Sequence, residues 1–565
     1  MNLLTLKRRG PVRGADDALA ATLACGLALL LVVFIALPLA AILAQALQDP
    51  QGEFVGLGRL AGLLAEARLR QAAWNSVWIA VATTAVVLPL ALGFAFALTR
   101  SLLPGRPLLR VLALSPLLAP SLMPAISLVY LFGNQGLLKS WLAPWGLGIY
   151  GPLGIVLGEV FYTFPHALLI LATALAVADA RLYEAAEALG ASRLRRLLTV
   201  TLPNARYGLI SAALVVFTLV VTDFGVPKVI GGQFNVLALE AYKQVIGQQN
   251  FAQGAAVGLL LLLPAVLSFA VERWLARGHA ASLGGRSVAY RARPNGWRDG
   301  LLALLCAAVL AGLLALLGVA VVASFIKLWP YQLQFTLDHY QFDQFDGGGW
   351  AAFTNSLKLA LWTTVIGSGV VFAGAYLVSK TPVPAPAAAT LHSLALLPMA
   401  VPGLVLGLGY IFSFNAVGHP LHALYGTLGL MVAATVAHFY TTAHLTLLTA
   451  LRQLDPEIEA VSRSLRRPWW HALLHVTLPM CLPALLDVAR YLFVSAMTTV
   501  SAVIFLYTPS SMLASVAVLS MDDAGDTAPA AAMATLIVAT SLAATLALNA
   551  LGWWLERRTQ SWRKP

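Results

Sequence analysis

The sequence predicts an all-α polytopic membrane protein with twelve transmembrane helices, arranged as two tandem six-helix halves. Three observations support this class: an apolar composition, twelve segments long enough to cross a bilayer, and a pattern that occurs once in each half of the chain. Of the 565 residues, 59% are hydrophobic and only 11% are charged. A water-soluble protein of this size needs a more polar surface, so the composition excludes a soluble globular fold.

A helix needs about 20 apolar residues to cross a bilayer, and twelve segments satisfy that requirement. They centre on Leu31, Val87, Pro120, 154–176, Val215, Leu262, Ala311, Gly367, Val401, Val436, Leu492 and Ile537. Several contain prolines, including Pro120 and Pro402, which membrane helices tolerate when neighbouring helices satisfy the freed carbonyl groups.

The distribution of basic residues predicts the orientation of these segments. With both termini in the cytoplasm, all but eight of the 36 Lys and Arg residues fall in cytoplasmic segments. This is the asymmetry that retains loops on the inside, and it accounts for the net charge of +12 without a nucleic-acid partner. The first apolar segment is too long for a signal peptide and is expected to remain as a span.

Two stretches of the chain align without gaps. DARLYEAAEALGASRLRRLLTVTLP (179–203) matches DPEIEAVSRSLRRPWWHALLHVTLP (455–479) at an offset of 276, and Asn75-Ser76 corresponds to Asn355-Ser356 at an offset of 280. Because an even number of spans separates the copies, the halves are expected to be parallel repeats. The predicted domains are a first half over 1–273, a basic cytoplasmic linker over 274–299 and a second half over 300–565.

The first of these stretches is predicted to be a helical hairpin. Asp179 can cap a helix, Gly190 supplies the left-handed residue that ends it, and Ser192 can cap a second short helix that leads to Pro203. A single such segment is also compatible with a helix lying on anionic lipid headgroups. The presence of a second copy before the fifth span of the other half favours a paired docking element.

The spacing of residues in this hairpin is that of a known signature. Glu184-Ala185-Ala186, three residues, Gly190, nine residues and then 200–203 (Val-Thr-Leu-Pro) resembles the EAA motif of permease subunits of binding-protein-dependent ABC importers, with valine for isoleucine at Val200. The resemblance implies a bacterial inner-membrane permease that works with a cytoplasmic ATPase dimer and a periplasmic solute-binding protein. It also implies that the ATPase is contacted by Glu184, Ala185, Ala186, Gly190, Leu202 and Pro203.

The second copy departs from the motif. Ala460 stands where the signature glutamate is expected, Glu459 lies one residue earlier, and Arg466 replaces the glycine, while Leu478 and Pro479 are retained. Arginine in a left-handed turn costs about 1 kcal/mol relative to glycine. We therefore expect this turn to be built differently and the two coupling elements to be unequal.

The chain is not predicted to be an enzyme and needs no cofactor of its own. Its nearest approach to a phosphate-binding loop, Gly133 to Ser140, has Leu138 where a glycine must precede the lysine, so ATP is expected to be bound by partner subunits. No nucleophile, paired-carboxylate or metalloprotease motif is present, which disfavours a membrane enzyme. An ion-coupled secondary transporter is the alternative from another class, although few carboxylates lie within the spans.

The fused two-copy layout resembles the branch of importers that carries ferric iron, thiamine or 2-aminoethylphosphonate. Residues 220–269 are similar to 2-aminoethylphosphonate permeases, so a phosphonate is the predicted solute, with ferric iron and thiamine as alternatives. Asp223 and Lys228 could bind the ammonium and phosphonate groups of such a zwitterion. Asp223 could instead cap a helix or pair with Lys228, and the second half has Thr499 at the corresponding position.

Other polar groups within the spans leave alternatives open. Glu159 is a candidate for the substrate path, or it could pair with His166 or with another span. A group of histidines raises the possibility of a metal site, but no cysteine or carboxylate completes a ligand set at the usual spacing, so no metal is expected. These are His419, His422, His438 and His444.

Overall fold

The fold is a bundle of long helices, as the sequence predicts. A computed structural model describes residues 14–48, 53–56, 58, 62, 65–177, 179–279, 290, 292–381, 383–416, 418–455 and 457–559. Helices lie at all twelve predicted positions, which confirms the all-α polytopic class. Among the described residues, nine helices are long and apolar enough to cross a membrane: Asp16–Ala46, Ala67–Arg100, Pro152–Ala176, Arg193–Thr222, Phe251–Glu272, Gly296–Ala323, Gly349–Ser379, Trp469–Thr498 and Thr527–Arg558.

The third and ninth predicted spans are broken rather than continuous. Arg106–Leu118 meets Leu122–Phe132 at 98°, and Ala385–Ala400 meets Gly403–Phe414 at 114°; counting each pair as one span gives eleven. Pro120 and Pro402 lie at the two breaks. Proline has no N–H to donate and its ring clashes with the preceding turn, so these prolines break the helix instead of being accommodated within it.

The tenth position is occupied by the helix Leu428–Gln453. It is long enough to cross a bilayer, but two histidines and five threonines make it more polar than the other long helices. A short antiparallel hairpin of strands β1 (Ile326–Leu328) and β2 (Gln332–Phe335) follows the seventh span. The shorter helices between the spans are Lys139–Leu142, Ala180–Ala188, Gly225–Ile230, Leu237–Tyr242, Glu457–Ser464 and Ala514–Ala524.

The two halves exchange their first spans. The first span packs on the eighth and ninth spans of the second half, and the seventh packs on the second and third spans of the first half. The Tyr410 hydroxyl donates to the carbonyl of Phe34 at 2.7 Å, and a Cβ on Gly409 would lie 2.5 Å from the carbonyl oxygen of Pro38. The sequence halves are therefore repeats of one pattern but do not pack as separate units.

The repeated Asn-Ser pair has a structural role that is the same in both halves. The hydroxyl of Ser76 accepts a hydrogen bond from the backbone N–H of Leu237 at 2.8 Å, and that of Ser356 accepts one from Ala514 at 2.8 Å. Asn75 donates to the carbonyl of Asn235 at 2.8 Å. The second span therefore fixes the segment after the fifth span against the bundle, and the eighth span does the same for the segment after the eleventh.

Replacing Ser76 with alanine should destabilise the protein by about 1–3 kcal/mol, because the buried N–H of Leu237 loses its acceptor. The thermal unfolding midpoint of the purified protein measures this loss. Thr84→Ala is the matched control, since the Thr84 hydroxyl bonds only to the carbonyl of Ala80 in its own helix, at 2.6 Å. Equal midpoints for the two variants would contradict the role given to Ser76.

Candidate functional site

The first hairpin has the predicted geometry. Its first helix, Ala180–Ala188, begins where the Asp179 carboxylate accepts the N–H of Arg181 at 3.1 Å. Gly190 follows with φ of +72°, and the Ser192 hydroxyl then accepts the N–H of Arg195 at 3.3 Å. The second arm continues through a π-helical turn into the fifth span.

The second hairpin closes in the same way, although it lacks the glycine. Arg466 adopts φ of +52°, close to that of Gly190. The N–H of Arg467 donates to the carbonyl of Ser462 at 3.0 Å, as that of Ala191 donates to Ala186 at 2.9 Å. The expectation that this turn is built differently is therefore wrong, because the backbone hydrogen bonds of the turn hold arginine in the left-handed region.

Both hairpins expose large apolar side chains at matching positions. Leu189 is 86% exposed and its counterpart Leu465 is 67% exposed. The other exposed pairs at the offset of 276 are Leu194 with Trp470 and Leu198 with Leu474. Grouped apolar side chains on a surface mark contacts with a partner. The sequence interpretation did not include these residues, although the gapless alignment already placed apolar side chains at each pair.

The signature residues surround this exposed surface. Glu184 and Ala185 are exposed and Ala186 is half-buried on the first hairpin, and Ala460 is exposed on the second. Leu202 and Pro203 begin the helix Leu202–Thr222, the main part of the fifth span, and Leu478 and Pro479 begin the helix Leu478–Thr498 of the eleventh. In each half the predicted residues thus form two groups. One group lies on the hairpin, and the other lies where the hairpin continues into the helix of the following span.

A buried arginine fastens the first hairpin to the bundle. Arg100, the last residue of the second span, is 2% exposed and donates to the carbonyl of Leu175 at 2.6 Å. Its guanidinium lies 4.9 Å from the ring centre of Tyr183 in the hairpin and 4.2 Å from that of Tyr290 in the linker. A second linker contact joins Arg293 to Glu187 at 2.9 Å.

A lysine does the same for the second hairpin. Lys380 lies 280 residues after Arg100 and pairs with Glu459 at 3.1 Å. The Glu459 side chain is 12% exposed and faces the bundle, so it does not replace the exposed Glu184. Glu459 stands at the position that corresponds to Tyr183 of the first hairpin. The indole N–H of Trp469 donates to the carbonyl of Asp16, at the start of the first span, at 3.1 Å.

Asp223 caps a helix and does not pair with Lys228. Its carboxylate accepts the N–H of Val226 at 2.9 Å, at the start of the helix Gly225–Ile230. Lys228 instead pairs with Asp523 of the second half at 2.8 Å. The two halves are therefore joined by this ion pair at the end of the bundle opposite the hairpins.

Burial, together with the nearby carboxylate of Asp523, raises the pKa of the neighbouring Asp522 to about 6.

Glu159 does not pair with His166. The ring nitrogen Nδ1 of His166 lies 3.3 Å from the carbonyl oxygen of Tyr162 in its own helix, whereas Glu159 faces the carboxyl group of Asp223. Glu159 is completely buried, and no N–H group or hydroxyl donates to its carboxyl oxygens. This brings together two of the three residues predicted for the substrate path and leaves Lys228 apart from them.

The four histidines do not form one cluster. His444 lies 3.3 Å from His392, while His422 contacts the carbonyl of Phe414 at 3.1 Å. Within the ranges that the structure describes, no three His, Cys, Asp or Glu side chains are arranged to hold a metal ion.

Comparison with known proteins shows the same two-copy organisation. The family model described as "Binding-protein-dependent transport system inner membrane component" matches twice, over residues 89–279 and 371–561. A ferric transport system permease of Actinobacillus pleuropneumoniae is 26% identical over 92% of this chain and 76% of its own length. A permease assigned to ferric transport in Haemophilus influenzae is 28% identical over 88% of this chain and 79% of its own length.

A third relative is a permease assigned to 2-aminoethylphosphonate transport in Salmonella choleraesuis. It is 30% identical, but the match covers 29% of this chain and 60% of that protein.

The two hairpin turns should respond in opposite directions to substitution. Arg466→Gly should stabilise the second turn by about 1 kcal/mol, because glycine adopts the left-handed conformation without strain. Gly190→Ala should destabilise the first turn by about the same amount, since a Cβ there meets nothing within 4 Å and only the backbone conformation is penalised.

Hydrogen exchange of the hairpin amides in the purified protein measures both effects. Protection should rise in the Arg466→Gly variant and fall in the Gly190→Ala variant. A change in the same direction in both variants would show that the left-handed conformation does not limit the stability of the turns.

Proposed function

The chain belongs to the family of binding-protein-dependent transport system inner membrane components, and on that premise we propose that it is the permease of an ATP-driven importer of ferric iron. The identity of the substrate is inferred from how much of the chain the two ferric transport permeases match. They match 88% and 92% of it, so both halves are included. The 2-aminoethylphosphonate permease matches 29% of the chain. Ferric iron, an alternative at the outset, is thus better supported than the phosphonate.

The two hairpins are the proposed docking sites for a cytoplasmic ATPase dimer. Each presents an exposed apolar surface, Leu189 on one and Leu465 on the other, and two equivalent surfaces suit a partner with two equivalent subunits. Arg100 and Lys380 fasten the hairpins to the second and eighth spans. A movement imposed on the hairpins by ATP binding is therefore transmitted to the bundle rather than absorbed by a flexible loop.

The connection from each hairpin to its following span is also continuous. The second arm of the first hairpin passes through the turn Leu197–Thr201 into Leu202–Thr222 without leaving helical geometry. The second hairpin passes through Leu473–Thr477 into Leu478–Thr498 in the same way. We propose that the fifth and eleventh spans move with their hairpins and open the bundle alternately toward each face.

The opposite end of the bundle is the proposed docking face for a periplasmic binding protein. The ion pair between Lys228 and Asp523 holds the two halves together there. Both chain termini are proposed to be cytoplasmic, at the end that carries the hairpins, because the basic residues concentrate at that end. Entry of the substrate requires this ion pair to separate when the ATPase subunits close.

Reconstitution into proteoliposomes with its ATPase and binding protein should give ATP-dependent accumulation of radiolabelled ferric iron. Labelled 2-aminoethylphosphonate and thiamine, each supplied with the same proteins, should not accumulate. Accumulation of either one in place of iron would overturn the proposed substrate. Uptake that needs no ATP and is abolished by a protonophore would instead identify a secondary transporter.

Leu189→Asp and Leu465→Asp should each weaken binding of the ATPase about tenfold or more, because a charge at the centre of an apolar contact is desolvated without a partner. Co-purification of the ATPase in detergent, over a range of ATPase concentrations, measures the change. Leu333→Asp is the control, since Leu333 is also exposed but lies in β2, after the seventh span. ATPase binding that is unchanged in both hairpin variants would exclude this docking surface.

A further inference from the structure

Two carboxyl groups face each other inside the first half without a basic partner. Glu159 lies in the fourth span and is completely buried, and no N–H group or hydroxyl donates to either of its carboxyl oxygens. The group that faces it is Asp223, at the end of the fifth span. Among the described residues no Lys, Arg or His forms an ion pair with either carboxylate, and Lys228 is engaged by Asp523.

The backbone around this pair is packed too closely for the groups to move apart easily. A Cβ on Gly158, next to Glu159, would lie 2.7 Å from a methyl carbon of Val226, and one on Gly225 would lie 2.5 Å from the hydroxyl oxygen of Ser121. Ser121 lies at the break in the third span. The fourth span, the turn after the fifth span and the break in the third span therefore meet at the carboxyl pair.

A tyrosine of the fourth span lies near the carboxyl pair. Tyr162, one turn after Glu159, lies within electrostatic range of both carboxyl groups and of Tyr491 from the eleventh span. Tyr491 belongs to the second half, so the polar cluster lies where the two halves meet. Asp223, Tyr162 and Tyr491 are partly accessible while Glu159 is not.

Two facing carboxylates in a medium of low dielectric constant repel each other, and the site is stabilised when a proton or a cation lies between them. Carboxylate and phenolate oxygens are hard donors, which favour hard cations over soft ones. We propose that Glu159, Asp223 and Tyr162 form a transit site for the ferric ion, a role that rests on the proposed function. The ion is cargo here and not a resident cofactor.

The second half does not repeat the site. Thr435, His438 and Thr499 stand at the positions that correspond to Glu159, Tyr162 and Asp223. The permease therefore has one transit site, contributed by the first half. Its two carboxylates and one phenol are fewer ligands than a closed metal centre uses, which suits a site that must release its ion.

The site also lies on the side from which the substrate arrives. Glu159 is about two turns from Pro152, where the fourth span begins at the end opposite the hairpins. An ion released by the binding protein would meet this cluster after the ion pair between Lys228 and Asp523 opens. Carboxylates at this depth replace part of the ion's hydration within the apolar bundle.

Titration of the purified permease with ferric ion, kept in solution by citrate, tests the site directly. The wild type should develop the visible phenolate-to-iron charge-transfer absorption, and Tyr162→Phe should lose it. Glu159→Gln and Asp223→Asn should weaken iron binding about tenfold or more each. Asp487→Asn is the control and should bind as the wild type does, because Asp487 is exposed and pairs with Arg490 at 2.9 Å.

The same variants are then reconstituted with the ATPase and the binding protein. Iron uptake should fall at least about tenfold in Glu159→Gln and Asp223→Asn, while stimulation of the ATPase by the binding protein is retained and shows that each variant is folded and assembled. Tyr162→Phe, which removes one oxygen, tests the site if a carboxyl variant does not assemble.

Two negative results are distinguishable. If the wild type accumulates iron and all three variants accumulate it equally well, the transit site is excluded and the proposed function stands. If the wild type accumulates no iron in the presence of its partners, the proposed function fails, and the site fails with it unless the charge-transfer band shows that the ion still binds.

Discussion

The attachment of each hairpin to the bundle by a buried basic residue is the contact on which the rest of this structure depends. Arg100 is the last residue of the second span and Lys380 directly follows the eighth, 280 residues later; each reaches the hairpin of its own half. A buried cation is costly unless it is paired or stacked, so each hairpin is held where its partner group places it. These contacts attach the first arm of each hairpin to the bundle, while its second arm continues as helix into the following span.

The two halves share a frame but differ in the chemistry at equivalent positions. Arg100 stacks on Tyr183, whereas Lys380 forms an ion pair with Glu459. The first hairpin has a glycine in its left-handed turn and the second has Arg466. The same holds deeper in the bundle, where Glu159 and Asp223 have threonines as counterparts. The two halves therefore keep one backbone arrangement while the side chains at equivalent positions differ in charge and hydrogen bonding.

The exchange of first spans connects each hairpin to both halves. The linker carries Tyr290 and Arg293 onto the first hairpin before it enters the seventh span, while the start of the first span meets Trp469 of the second hairpin. Each hairpin therefore contacts the chain that leads into a span packed on its own half. A displacement of either hairpin would therefore act on both halves, as the proposed alternating access requires.

The sequence by itself determined the class of fold, the positions of the helices, the two-fold repeat and the hairpin with its caps, because these depend on composition, local hydrogen bonding and spacing along the chain. It also placed the helix cap at Asp223 among its alternatives. The partners of Lys228, Glu159 and Glu459 depended on which spans lie side by side. Among the alternatives left open by the sequence were pairs between near neighbours, Lys228 with Asp223 and Glu159 with His166. The structure instead pairs Lys228 with Asp523 of the other half and turns Glu159 toward Asp223. The left-handed conformation of Arg466 was likewise decided by the hydrogen bonds that close the turn, which outweigh the local preference of the residue. Only the tertiary structure could settle the partners of Lys228, Glu159 and Glu459, since these interacting groups are separated by tens to hundreds of residues and are brought together by helix packing.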